Sequence, residues 1–271
     1  MNFDNKVSLI TGAGSGIGRQ LALELAKLGS IVVISDASEA GVRETAKLIK
    51  CEDKDCFSVV DVTDYDEVKN FIEKAASKFG RIDYLFNNAG IAVAADARDY
   101  NISHWRAVVE VNLMGVIHGC DTAYKIMSEQ NSGHIVNIAS LSGLVPFPTN
   151  VPYAATKHAV VGLSTSLRVE GETLGVKVSA VCPGFIESNI YSATESINLD
   201  REKFLNADLP FRKVPTDVAV REILKGVSKN KSLIVFPTYA VIAWLLYRVS
   251  SFFQRKLSRD LISQFRKMRQ S

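Results

Sequence analysis

Strand-like and helix-like segments alternate along this chain with almost no interruption, and that alternation leaves few folds open. Short runs rich in β-branched residues fall at 7–10, 31–35, 57–60, 84–86, 134–138, 177–181 and 233–236. Amphipathic stretches with helical spacing fill the gaps at 17–28, 39–50, 65–79, 105–127, 153–174 and 217–229. Strands joined through helices return parallel, so the pattern predicts one parallel sheet with helices on both faces. The run Ile31-Val32-Val33-Ile34 lacks in/out alternation, as a strand buried on both sides requires. At 271 residues the chain suits one α/β domain with a single large core. The rhythm stops after Phe236, which divides the chain into a body, 1–237, and a tail, 238–271. Within the body, 185–215 is the longest stretch without a clear strand, and its length marks it as a lid.

Charge is spread unevenly. The net charge is +3, yet residues 239–271 carry seven basic side chains against Asp260 alone, which leaves the first 238 residues at −3. The body therefore lacks the basic footprint of a nucleic-acid binder. Cys51, Cys56, Cys120 and Cys182 have no zinc-like spacing, and no apolar leader follows Met1. A disulfide framework is not expected, and a reduced, cytoplasmic setting is. Cys51 and Cys56 flank a charged, solvated loop, and Cys182 reads as a buried, inert thiol. His104, His118, His134 and His158 form no pair at ligand spacing with a carboxylate, so no metal is expected.

Directly after the first strand comes Thr11-Gly12-Ala13-Gly14-Ser15-Gly16-Ile17-Gly18, leading into a helix. Glycines let backbone approach a pyrophosphate, and a helix N-terminus offers free N–H groups and partial positive charge. Asp36 ends the second strand, 18 residues after Gly18. A carboxylate there accepts both ribose hydroxyls of an adenosine and repels a 2′-phosphate, which favours NAD over NADP. Arg19 is the nearest cation and the one feature pulling the other way.

Tyr153 and Lys157 stand i, i+4 on one helix face, and Ser140 follows the strand Ile135-Val136-Asn137-Ile138-Ala139 at the edge where α/β folds bind ligands. With Gly12, Gly16 and Gly18, Asp61-Val62, Asn87-Asn88-Ala89-Gly90, Asn112, and Pro183-Gly184 followed by Ser188, the order and spacing closely resemble the short-chain dehydrogenase/reductase family over roughly 6–236. The resemblance implies a single Rossmann-like, doubly wound domain of about seven strands that moves a hydride between nicotinamide and an alcohol or ketone carbon. It implies Tyr153 as general acid/base, its phenol lowered from ~10 toward neutrality by the Lys157 ammonium and by oxidised nicotinamide. Lys157 would also hold the nicotinamide ribose, Ser140 would hydrogen-bond the substrate oxygen, and Asn112 would anchor a water linking Lys157 to solvent. On the cofactor side it implies Ser15, Ile17, Asp61 and Val62, the turn Asn88, Ala89 and Gly90, and Pro183, Gly184, Ile186 and Ser188, the last standing where such families often carry Thr.

Substrate choice is expected to rest on 150–152 and on the lid, whose Phe185, Ile190, Tyr191, Ile197, Leu199, Phe204, Leu209 and Phe211 suit a hydrophobic alcohol or ketone, steroid-, retinoid- or lipid-like. An NADPH-dependent acyl-thioester ketoreductase is the alternative, kept open by Lys203, Arg212 and Lys213. A non-catalytic dinucleotide sensor or a membrane-docking scaffold is the alternative of another class. In the tail, 239–247 is nearly all apolar but too short to span a bilayer of ~30 Å. Ile242, Leu246, Val249, Phe253, Leu257, Leu261, Phe265 and Met268 then recur every three or four residues, with Arg248, Arg255, Arg259 and Arg266 elsewhere on the wheel. Such a helix can lie on a membrane surface, dock on its own body, or pair subunits in a homodimer or homotetramer.

Overall fold

The structure is a computed structural model, and it describes residues 3–51, 56–188, 190–205, 212–250, 258–259 and 262–269. Seven parallel strands form the central sheet: β1 (Val7–Ile10), β2 (Ile31–Asp36), β3 (Phe57–Val59), β4 (Tyr84–Asn87), β6 (Gly133–Ile138), β7 (Val176–Pro183) and β9 (Leu233–Phe236). Their order is β3-β2-β1-β4-β6-β7-β9, so the chain winds outward in both directions from the β1/β4 pair. All seven expected strands are present. Two further strands, β5 (Val93–Ala94) and β8 (Glu195–Ser196), pair with each other outside the sheet.

The helices follow from local chemistry as well as periodicity. Helix α1 (Gly16–Lys27) opens from the glycine turn, while α2 (Glu39–Leu48) and α3 (Tyr65–Phe79) start where Ser38 accepts from Gly41 N and Asp64 from Glu67 N. Asn101 and His104 form a reciprocal cap that starts α4 (Ile102–Val109) three residues earlier than periodicity indicates. One π-helical turn, Glu110–Met114, then joins α4 to α5 (Gly115–Glu129). Helix α6 (Val151–Gly171) carries Pro152 in its first turn, where no donor is lost. Among the described residues of 185–215 are two short helices, α7 (Ile190–Ala193) and α8 (Arg201–Leu205), followed by α9 (Thr216–Ser228) and α10 (Thr238–Val249).

Two apolar clusters sandwich the sheet. Leu21 and Leu25 of α1 meet Ile223 and Leu224 of α9 on one face. Phe71 and Ile72 of α3, Val116 and Met127 of α5 and Val160 of α6 cover the other. Burying each large aliphatic side chain contributes roughly 1.5–3 kcal/mol, which anchors the strands so that their C-terminal ends share one rim.

Two expectations need correction. Cys51 and Cys56 form a disulfide with Cα atoms 6.4 Å apart, so these two cysteines are not the unpaired flanks of a loop. The tail is not one continuous amphipathic helix, because Ser250 leaves helical geometry at φ −154°, ψ 124°. A second helical piece, 262–267, packs back on the body through Phe265, which is 5% exposed against Ala94 and Leu199. Phe253, Leu257 and Leu261, with Arg255, lie outside the described residues, as do Leu209 and Phe211 of the lid. No described helix is long and apolar enough to cross a membrane.

Candidate active site

A cavity of about 560 Å³ opens along the C-terminal rim of the sheet, running from Asp36 past Tyr153 to Phe265. Gly12, Ser15, Gly16, Ile17, Asp36, Asp61, Val62, Asn88, Ala89, Gly90, Ser140, Tyr153, Lys157, Pro183, Gly184, Ile186 and Ser188 all line it. Of the expected site residues only Gly18 and Asn112 do not, and both act from behind the wall.

At the dinucleotide end, Gly12 has φ +63°, and a Cβ there would come within 2.6 Å of Ala89 Cα. A Cβ on Gly18 would run into Gly12 O and would sit 2.5 Å from Asn88 Nδ2. Asn88 Nδ2 donates to Thr11 O at 3.1 Å and Gly12 O at 2.8 Å, pinning the turn from below. Thr11 Oγ1 in turn accepts from Asn88 N at 3.1 Å and Ala89 N at 3.3 Å. Helix α1 has no side-chain cap and no acidic residue in its first turn, so its N–H groups stay available to an anion. These are the requirements of a pyrophosphate cradle, and the residues present fit a nicotinamide dinucleotide.

Asp36 closes the adenosine end. Its Oδ2 accepts from Gly14 N at 2.7 Å and its Oδ1 from Ser38 N at 2.8 Å, which fixes the carboxylate at the tip of β2. Arg19 is committed elsewhere: it reaches Glu44 Oε2 at 2.6 Å, Thr45 Oγ1 at 3.0 Å and the Gly14 carbonyl. Asp61 Oδ1 accepts from Thr63 N and Thr63 Oγ1, both at 2.9 Å, which orients the Asp61-Val62 wall.

At the catalytic end, Lys157 Nζ lies 5.4 Å from the Tyr153 ring centre and donates to Ile138 O at 2.8 Å. Ser140 hydrogen-bonds Tyr153, and its Oγ accepts from Ser142 N at 3.1 Å. Burial pushes the Tyr153 phenol up to about 12, offset in part by that bond to Ser140. Burial likewise pushes the Lys157 ammonium down to about 8. Within the protein alone the phenol is thus raised, opposite to the lowering expected from Lys157 together with oxidised nicotinamide, because desolvation is the largest influence on it. Cys182, fully buried nearby, is held up at about 12 by the same cause, as an inert thiol should be.

Asn112 sits in the π-helical turn, a distortion frequent at functional sites. Both ends of its amide are engaged by Ile91, with Oδ1 accepting from Ile91 N and Nδ2 donating to Ile91 O, each at 2.8 Å. It therefore fixes the loop after β4 beside Gly90, whose missing Cβ would fall 3.2 Å from Asn112 Oδ1 and 3.7 Å from Lys157 Nζ. Thr149, also on the cavity wall, has φ +70°, a strained geometry for a β-branched residue. Its carbonyl holds Ala95 N at 3.0 Å and Tyr100 OH at 3.1 Å.

Several cavity residues escape sequence reasoning. Phe147 joins Phe185 across the lid side at a 6.1 Å ring separation. Gln264, Phe265 and Met268 of the C-terminal segment complete the far wall. Tyr239, at the start of α10, hydrogen-bonds Phe185 N at 2.6 Å and so holds the Gly184 turn. A tail tyrosine two residues past an X-Pro bond carries no local signal of that role.

Comparison with known proteins agrees with this geometry. The short chain dehydrogenase family model matches residues 6–198. An uncharacterized oxidoreductase of Staphylococcus saprophyticus is 33% identical over 229 residues, covering 82% of this chain and 97% of that protein. A short chain dehydrogenase/reductase from Burkholderia phymatum, solved in complex with NAD, superposes with a TM-score of 0.83 at 29% identity, covering 94% of this chain and 96% of that one. A 3-ketoacyl-(acyl-carrier-protein) reductase from Brucella melitensis, complexed with NADH, gives 0.75 at 29%, covering 86% and 97%. The chain belongs to the short chain dehydrogenase family and is an oxidoreductase built on its Rossmann-like fold.

Proposed function

We propose that this chain catalyses reversible hydride transfer between NAD(H) and a hydrophobic secondary alcohol or ketone. One observation supports this: Tyr153, Ser140 and Lys157 line one cavity together with the glycine turn and Asp36 and with the apolar Phe147, Phe185, Ile190 and Phe265. In oxidation Tyr153 accepts the substrate hydroxyl proton while the carbon gives up a hydride, and in reduction the phenol returns a proton to the carbonyl oxygen. Ser140 donates to that oxygen as charge develops on it. Lys157 supplies positive charge beside the phenolate. NAD bound in the groove supplies the hydride acceptor, NADH the donor.

Preference for NAD over NADP follows from Asp36 facing the groove with Arg19 already engaged by Glu44. The test is a turnover screen of apolar and polar alcohols and ketones with all four coenzymes. Turnover confined to small hydrophilic polyols would refute the substrate class. A second reading, an acyl-thioester ketoreductase, is supported by Lys213 on the cavity wall and by the likeness to the Brucella reductase. Reduction of 3-ketoacyl thioesters with NADPH, faster than any free ketone, would favour it.

We also propose that α10 meets an anionic lipid surface. Ile242, Leu245, Leu246 and Val249 are 52%, 51%, 48% and 88% exposed, with Arg248 stacked 5.7 Å from the Trp244 ring centre. Flotation of the full chain with anionic liposomes at low salt tests this. A stable dimer that buries α10 and ignores liposomes would assign the face to a second subunit instead.

A further inference from the structure

The 262–269 segment lies beyond the residues shared with the family model, yet it walls the reaction chamber. Phe265 packs with Ala94 and Leu199, and Ile262 and Met268 lie against the same cluster. Phe265 and Met268 face the cavity that also holds Tyr153. The segment is tied down on both sides of that contact. Arg266 Nε bonds Asp96 Oδ2 at 2.8 Å, and Arg269 grips Asp99 in a two-pronged pair at 2.9 and 2.7 Å. Asp200 N donates to Met268 O at 3.0 Å, and Leu199 and Arg269 form an antiparallel bridge. The side chains of Asp96 and Asp99 are only 5% and 7% exposed, and their shortest cationic contacts are these two arginines, Arg98 standing farther from Asp96 at 3.4 Å. With both arginines spent on these pairs, the face turned to the chamber is left to an aromatic ring, a thioether and the uncharged amide of Gln264.

We propose that this segment is a specificity strap: Phe265 and Met268 form the end wall of the substrate chamber, and the Arg266–Asp96 and Arg269–Asp99 latches set where that wall stands. The proposal rests on the hydrophobic alcohol or ketone reading and adds the residues that limit substrate length. A methylene gains about fourfold in kcat/KM while it finds apolar surface, and loses when it meets a wall.

The experiment uses the full chain and a homologous series of 2-alkanols and 2-alkanones of increasing length with NAD or NADH. Wild type should show an optimum length. Phe265→Ala should move the optimum to longer chains, with kcat/KM for substrates two or more methylenes beyond the original optimum raised about tenfold, a gain that misfolding cannot produce. Arg266→Gln with Arg269→Gln should flatten the profile, and the paired lysine substitutions should restore part of it. An unchanged profile in these variants would overturn the strap. If wild type turns over no member of the series, the proposed function fails separately. The strap is then judged by the neutral apolar dye Nile red on the NADH complex. Affinities that differ at least fivefold between Phe265→Ala and Phe265→Trp support it, and equal affinities or no binding overturn it.

Discussion

Lys157 holds its Nζ 5.4 Å from the centre of the Tyr153 ring while donating to the Ile138 carbonyl at 2.8 Å, so its charge sits beside the phenol without hydrogen-bonding through it. The phenol itself faces the chamber with Ser140 as partner. Proton transfer is therefore expected to depend on the Tyr153 hydroxyl, with Lys157 holding positive charge beside it. Tyr153→Phe should lower kcat by about 10²–10⁴-fold. The far-UV spectrum and NADH affinity report whether the fold survives. A Phe variant within tenfold of wild type would remove Tyr153 from the chemistry.

Acidity gives the next expectation its sign. Tyr153, pushed up to about 12, must lose its proton to serve as base, so kcat/KM for alcohol oxidation should rise with pH from 7 to at least 8.5. Reduction needs the proton in place and should show no such rise. A flat oxidation profile over that range would contradict the assignment.

Stability should carry a matching signature. Lys157 has a folded value of about 8, below the ordinary 10.5, so between these two values the unfolded chain binds more protons than the native one. Lys157 therefore makes stability rise with pH across that window, while below about 8 the cost of burying the ammonium is fully felt. Tyr153 works in the opposite sense, but only above 10, where the unfolded phenol ionises first. In urea titrations from pH 8 to 10 the stability of wild type relative to Lys157→Met should rise with pH, a difference in which the opposing slope of the buried Cys120 and Cys182 thiols, both pushed up to about 12, cancels. Parallel curves would place the lysine charge elsewhere.

Coenzyme choice is expected to hang on Asp36. Replacing it with Ala removes both the acceptor for ribose hydroxyls and the repulsion of a 2′-phosphate. The NAD/NADP ratio of kcat/KM should fall on the order of tenfold or more. Equal ratios in the two proteins would show that discrimination lies in another part of the groove.

Tyr239→Phe deletes one hydrogen bond, 2.6 Å long, to Phe185 N beside the Gly184 turn. A bond of that kind contributes about 1 kcal/mol, so KM for NAD should rise about fivefold. Tyr239 is a positioning residue on this account. An altered Tm with an unchanged KM would reduce it to a packing role.

Much of this was legible because the parallel sheet writes itself into sequence twice, as apolar runs and as glycines at the turns. The strands 7–10 and 233–236 match the structure residue for residue. Gly12 and Gly18 were legible for a different reason: crowding against the Ala89 backbone for one, and against the Gly12 carbonyl and the Asn88 side-chain amide for the other, tolerates nothing larger. The two-residue strands β5 and β8 were not, since two residues cannot display a period. Nor was the π-helical turn at Asn112, because widening one turn leaves the apolar pattern of the flanking helices intact. Asn101 was a cap in plain view, with His104 in the place usually held by Glu or Gln. Phe265 reads as one more residue of a stripe, and only tertiary contact reveals that it turns inward while Val249 of the same stripe faces out.

The side-chain amide of Asn88 ties the loop after β4 to the loop after β1. That joint makes the floor under the dinucleotide a single mechanical piece, with the two halves of the coenzyme resting on one frame. On the proposed function, differences of shape among substrates would then be absorbed by 185–188, 190–205 and 262–269, which lie outside the seven-stranded sheet. Evolution can therefore retune what the enzyme acts on without disturbing how it holds its coenzyme.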